Sequence, residues 1–256
     1  MDLQLRNKLF IVCGATSGFG KAIAEGLINE GARIIAIARR EELLKKLYKN
    51  KEQATIFPGD ITNLSTIDEV YNSVKMEKLS GMVVNAAGPP AKSIDETTIE
   101  DWDNAYSQLV RWKIDLTKKF LPLMKGRHDS RILYIESASV KQPIENLVLS
   151  TSMRLAVVGF VKTLSQEHSN SGTTFNIMAP GFHETSAVER LIRKKSEQNH
   201  ISFEEAKSNM VENLPMKRAG NPDDFASLAL WILSPWSGYI NGQVFPVDGG
   251  TLRGTL

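Results

Sequence analysis

Apolar residues fall along the chain in two rhythms. Short runs with little polar interruption occupy 8–13 (KLFIVC), 33–38 (RIIAIA), 54–57 (ATIF), 82–84 (MVV), 131–136 (RILYIE), 173–179 and 243–247 (QVFPV). Such runs predict strands covered on both faces, as in a parallel sheet. Between them, apolar residues recur three and four positions apart over 20–30, 41–50, 66–77, 99–124, 151–166 and 222–233, which predicts helices. Strand and helix alternate from end to end, so the expected architecture is α/β: one doubly wound parallel sheet with helices on both faces. No repeat or linker divides the chain, and 1–256 is expected to form a single domain.

Two stretches break the rhythm. NAAGPPAKSIDETT (85–98) is a loop, enforced by Pro89 and Pro90. The segment 182–215 is a helical insertion after the sixth strand. Ligands of doubly wound sheets sit beyond the carboxyl ends of the strands, so the insertion is expected to be a lid over a site.

The helical pattern of 151–166 carries a polar pair. Met153, Val157, Val161 and Leu164 mark an apolar face, and Ser150 and Arg154 lie one turn apart at its start. A buried arginine is costly unless an anionic or hydroxyl-rich partner meets it.

Composition narrows the function classes. Lys and Arg total 31 against 29 Asp and Glu, without the concentrated basic face of a nucleic-acid binder. The local run RLIRKKSEQNH (190–200) reads as a solvated helix face. Cys13 is the single cysteine, which excludes an intrachain disulfide and a zinc cage and suits a reducing compartment. The N-terminal apolar run of four residues is too short for a signal peptide or a span. The expected location is the cytoplasm, with no membrane or nucleic-acid partner and no metal.

The first strand runs into the first helix through IVCGATSGFGKAIAEGL, where Gly14, Gly18 and Gly20 form G-x-x-x-G-x-G around Thr16, Ser17 and Phe19. Glycines there permit a tight turn and close backbone approach to a pyrophosphate, and the helix N-terminus offers free N–H groups. At the end of the second strand, IIAIARREE puts Arg39 and Arg40 where a carboxylate would select NAD. Arginine there pairs with a 2′-phosphate, so the expected cofactor is NADP.

These blocks, with GDIT at Asp60, VVNAAG, RILYIES, APGFHET, MKRAGNPDDFASLALWIL and YINGQVFPVDGG, resemble the short-chain dehydrogenases/reductases of the 3-oxoacyl-carrier-protein-reductase-like type across nearly the whole chain. The resemblance implies a Rossmann fold, with Gly14, Gly18 and Gly20 at the pyrophosphate and Asp60 and Ile61 at the adenine. It also implies Asn85, Ala86 and Gly88 along the adenosine half, and Pro180, Gly181 and Thr185 beside the nicotinamide carboxamide. A homotetramer is the implied assembly.

The departures from the family pattern fall in the chemistry. Ser137 matches the family's catalytic serine, but Ser150 stands for the tyrosine of Y-x-x-x-K, Arg154 for its lysine and Leu109 for the helix asparagine. Arginine can still grip two ribose hydroxyls with its planar fork, whereas a serine hydroxyl is far too weak an acid to replace a phenol. His183, within PGFHE, is expected as a substitute proton donor, with Glu136, Glu184, Lys141 and Tyr106 as lesser candidates. The expected function is therefore NADP(H)-dependent oxidation or reduction of a small-molecule carbonyl/alcohol pair, with a degenerate catalytic tetrad. The alternative is a non-catalytic NADP(H)-binding protein, a sensor or assembly subunit.

Overall fold

The protein was analysed as a computed structural model, which describes residues 1–124, 126 and 129–255. Seven parallel strands form one sheet in the order β3-β2-β1-β4-β5-β6-β7. They are β1 (Leu9–Cys13), β2 (Arg33–Ala38), β3 (Ala54–Pro58), β4 (Leu79–Val84), β5 (Ser130–Ile135), β6 (Thr173–Pro180) and β7 (Val244–Val247). Strand order reverses between β1 and β4, which opens a crevice at their carboxyl ends. β4 begins earlier than its apolar triad implies, because Leu79 and Ser80 are also covered. Gly81 admits the neighbouring strand, since a Cβ there would stand 2.3 Å from the Arg131 carbonyl oxygen.

Helices pack on both faces. α1 (Gly18–Asn29), α2 (Glu41–Tyr48) and α9 (Pro222–Leu233) bury Ile23, Leu27, Leu44, Tyr48, Phe225 and Ile232 on one side. α3 (Leu64–Val74), α5 (Trp112–Phe120) and α6 (Val148–Glu167) bury Ile67, Val70, Trp112, Phe120, Val157 and Val161 on the other. Each such side chain stabilises the fold by roughly 1.5–3 kcal/mol. α6 is apolar and long enough to cross a bilayer by composition alone, but it lies against the sheet with Val157 and Val161 buried.

The stretch 99–124 is not one regular helix. α4 (Ile99–Tyr106) passes through a π-turn (Ser107–Arg111) into α5, and a 3₁₀ turn (Leu121–Met124) follows. A π-turn inserts one residue into the helical ladder and so shifts the buried face. Leu109, Val110, Trp112 and Lys113 are all buried as a result, and the Trp112 indole N–H donates to the Gln108 carbonyl at 2.8 Å.

At the opposite edge from the crevice, Arg131 of β5 is buried. Its guanidinium donates to the carbonyls of Ser130 (2.8 Å), Ser234 (3.1 Å) and Pro235 (3.2 Å) and to the Ser237 hydroxyl (3.1 Å). The segment 182–215 holds α7 (Ser186–Asn199) and α8 (Phe203–Glu212). Thr185 and Ser202 cap them through hydroxyls that accept from Val188 N–H (3.4 Å) and Glu205 N–H (3.1 Å).

Candidate active site

The loop leaving β1 is shaped by its glycines. Gly14 has φ +70° and Gly18 φ +52°, which other residues rarely adopt. A Cβ on Gly20 would lie 2.4 Å from the Gly14 carbonyl oxygen, so only glycine lets α1 start this close to the strand. Gly14 and Ala15 donate to the Ile37 carbonyl at 2.9 and 3.1 Å, and the Tyr48 hydroxyl donates to the Ala15 carbonyl at 2.6 Å. Ser17, the N-cap of α1, makes no side-chain cap bond, so the first-turn amides face the crevice with their capacity for an anion intact.

Arg40 leans over this loop. Its Nη2 donates to the hydroxyls of Thr16 and Ser17, each at 3.0 Å. Arg39 is 73 % exposed and stands 3.9 Å from Asp60. Asp60 also closes its own turn, accepting from the Thr62 amide (3.0 Å) and hydroxyl (2.8 Å). Asn85 bridges to β1 by donating to the Cys13 carbonyl at 3.4 Å. Burial pushes the Cys13 thiol up to about 12, so it stays a neutral part of the core.

These groups line a cleft of about 750 Å³. Every residue expected to bind the cofactor lines it except Gly20 and Gly181. Gly20 acts behind the surface, through helix–strand packing. Gly181 packs on Asp248, whose Cβ would lie 2.7 Å from a Cβ at 181. The glycine cradle, the free amides of α1 and the guanidinium–hydroxyl corner match the pyrophosphate and 2′-phosphate of NADP(H).

Arg154 forms the far end of the cleft. Its Nε donates to Ser150 Oγ at 3.1 Å, and its Nη1 donates to Glu136 Oε2 at 2.9 Å and to the Ile135 carbonyl at 3.5 Å. Glu136 Oε1 accepts from Lys113 Nζ at 2.5 Å. Burial pulls the Lys113 ammonium down, and the charge of Glu136 opposes that pull. Arg154 thus meets a buried carboxylate and a serine, and its Nη2 edge lies against Gly88, where a Cβ would stand 3.1 Å away.

Of the expected catalytic residues Ser137, Ser150, Arg154 and His183, Arg154 alone lines the cleft. Ser150 is buried with its Oγ accepting from Arg154, and Ser137 Oγ accepts from the Ser139 amide at 3.2 Å; neither lines the cleft. His183, expected as a donor, is 3 % exposed and sits in an aromatic nest outside it. Its ring packs edge-on to Phe19 and Phe225 at centroid distances of 5.0 and 5.6 Å. Gly220 makes room for it, and Nδ1 lies 3.2 Å from the Gly181 carbonyl. Desolvation lowers its pKa, so the ring is a neutral structural part. Glu184, Lys141 and Tyr106 also lie outside the cleft lining, with Glu184 paired to Lys207 at 3.1 Å.

Comparison with known proteins agrees with this architecture. A family model described as enoyl-(acyl carrier protein) reductase matches residues 14–251. The chain belongs to the short-chain dehydrogenase/reductase family. Among its relatives is the NADPH-dependent reductase BacG of Bacillus subtilis (strain 168), 27 % identical over 250 residues, covering 94 % of this chain and 96 % of BacG. The 3-oxoacyl-[acyl-carrier-protein] reductase FabG of Thermotoga maritima is 27 % identical over 257 residues, covering 97 % and 99 %. The solved structure of L-sorbose reductase from Gluconobacter frateurii, complexed with NADPH and L-sorbose, superposes with a TM-score of 0.93 at 25 % identity, covering 99 % of this chain and 100 % of that one.

Several cleft residues lie outside the sequence expectations, Arg190 and Gln108 among them. Arg190, counted in a solvated basic run, lines the cleft from the second turn of α7; its position five residues after Thr185 was the available signal. Gln108 enters from the π-turn, which the apolar pattern does not foretell. Glu136, a lesser donor candidate by sequence, is the partner of Arg154.

Proposed function

We propose that this chain, an NADP(H)-dependent oxidoreductase of the short-chain dehydrogenase/reductase family, works slowly on the carbonyl/alcohol pair of a small molecule at the Arg154 end of the cleft, with a degenerate tetrad and no built-in proton donor. The observation that carries this reading is the hydrogen bond from Arg154 Nε to Ser150 Oγ. It makes the serine an acceptor that steadies arginine, in the position where the family pattern has its acid. NADPH, when bound, would supply the hydride to the carbonyl carbon, and the proton for the carbonyl oxygen would come from water.

The chain's own residues position and shield. Gly14, Gly18 and the first-turn amides of α1 cradle the pyrophosphate, and Arg40 with Thr16 and Ser17 takes the 2′-phosphate. Arg154 presents its Nη2 edge to the nicotinamide ribose hydroxyls. The insertion 182–215 acts as the lid, with Arg190 brought over the cleft by α7. Exposed Ile99 and Tyr106 on α4 and Leu155 on α6 support assembly into a homo-oligomer.

A positioned general acid is worth roughly 10²–10⁴-fold in rate, so wild-type turnover should fall short of a tyrosine-bearing site by about that factor. The test pairs NADPH titration with single-turnover NADPH oxidation on a panel of ketones and aldehydes. Expected are firm NADPH binding, slow oxidation, and little change in Ser150→Ala. Fast wild-type oxidation abolished by Ser150→Ala would overturn the assignment of the serine, and absence of NADPH binding would overturn the whole reading. Firm binding with no turnover on any carbonyl would favour the non-catalytic alternative.

A further inference from the structure

The group that faces Arg154 from behind is Glu136, and its side chain is 0 % exposed. The residue is among those that line the cleft, yet its carboxylate is fully covered by its two cationic partners. Both of its oxygens are taken, one by Lys113 Nζ at 2.5 Å and one by Arg154 Nη1 at 2.9 Å. We propose that Glu136 is a positioning residue: its buried carboxylate, held on the far side by Lys113, fixes the Arg154 guanidinium so that a single N–H edge, Nη2, is left to grip the nicotinamide ribose. This rests on the reading that Arg154 meets the cofactor.

Three features support it. The fork of Arg154 is held on two of its three nitrogens by groups from different elements: Ser150 on its own helix, and Glu136 with the Ile135 carbonyl at the end of β5. Among the described residues, Nη2 has no hydrogen-bond partner, and it lies beside Gly88, which lines the cleft. The arrangement is also expensive. Three charged groups leave water together, and buried ion pairs of this kind are seldom more stable than apolar residues of similar volume. Lys113 fits the same account. The π-turn brings it to the buried face of α5, where it meets the second oxygen of the carboxylate and holds Glu136 from the side away from Arg154.

The decisive variant is Lys113→Met with Glu136→Gln, which removes one positive and one negative charge together. Glu136→Gln alone strands two buried cations and should lower the melting temperature by roughly 10 °C, or fail to fold. The double variant strands one buried cation, Arg154, where Glu136→Gln strands two, so it should melt above Glu136→Gln alone and below wild type. Its affinity for NADPH should nonetheless fall about tenfold, while its affinity for 2′,5′-ADP, which lacks the nicotinamide ribose, should stay within about twofold of wild type. Lys113→Met alone, which keeps the Glu136–Arg154 contact, should bind NADPH within about threefold of wild type. Equal losses for NADPH and 2′,5′-ADP in the double variant would show a general structural role and overturn the proposal. Unchanged NADPH affinity in the double variant, with weakened affinity in Arg154→Ala, would overturn it as well. Unchanged NADPH affinity in Arg154→Ala would instead defeat the reading beneath it, that the arginine meets the cofactor at all.

Discussion

At the phosphate end of the cleft, the groups offered to a ligand are backbone amides and the space left by missing side chains. At the Arg154 end they are the tips of a buried ionic network. The first end is set by contiguous sequence: Gly14 to Gly20 turn the chain, and Ile37 and Tyr48 pin the turn from β2 and α2. The second is assembled from three separate elements, with Lys113 23 residues and Arg154 18 residues from Glu136. Backbone cradles tolerate few substitutions because a Cβ has nowhere to go. Side-chain networks tolerate exchange if charge and hydrogen bonds are replaced as a set. On the proposed reading, the difference lets a chain keep its dinucleotide frame while side chains at the other end are exchanged.

Breaking the cradle should give the largest effect. In Gly20→Ala the new Cβ would stand 2.4 Å from a backbone oxygen that cannot move aside. Overpacking of this kind costs about 1–3 kcal/mol, a fall in melting temperature of roughly 2–12 °C at this size. NADPH affinity should drop by a factor on the order of 100, since the first-turn amides lose their aim; calorimetric titration and thermal melts would check both. A variant that binds NADPH normally would show the cradle to be far softer than its geometry.

The cofactor corner should respond next. Arg40→Ala removes a charge-assisted contact worth roughly 1.5–3 kcal/mol, so NADPH binding should weaken by a factor of roughly 10–100 while NADH binding hardly changes. Arg39→Ala should do less, because that side chain is largely in solvent and tethered only loosely to Asp60. Parallel titrations with both cofactors would rank the two arginines, and equal loss for NADH would assign Arg40 to loop stability instead.

The smallest expected effect concerns His183, which stands outside both ends. Desolvation depresses its folded pKa below 6.5, so the unfolded chain binds the extra proton. Its contribution is therefore fully present above pH 6.5 and is lost as pH falls below that value. In His183→Leu the fall in melting temperature between pH 7.5 and 5.5 should be smaller than in wild type by about 2–4 °C, with single-turnover rate hardly changed. A rate collapse in this variant would return His183 to the chemistry.

What the sequence shows of this molecule follows the same division. The strand–helix alternation, the glycine loop and the Arg39–Arg40 corner are local patterns, and each lies where its pattern says. The partner of Arg154 is not local. Its identity depends on the π-turn at Ser107–Arg111, which decides that Lys113 faces inward, and no apolar period announces an inserted residue. Likewise the Pro-Gly next to His183 sets where its backbone runs, but the side-chain direction is decided by Phe19, Phe225 and the gap at Gly220. Arg190 looked like one charge in a solvated run because the fold above the cleft, not the run, gives α7 its facing.

Arg131 has a consequence for the order in which the chain is made. Its clamp joins β5 to carbonyls 103 and 104 positions later, so it cannot close until α9 and the turn after it exist. During synthesis, N-terminal portions fold first, and β5 must wait with a guanidinium most of whose receivers are still unmade. The clamp is a late lock, and a nascent chain stopped before Ser234 would leave the Arg131 guanidinium with the Ser130 carbonyl but without the three acceptors that Ser234, Pro235 and Ser237 supply.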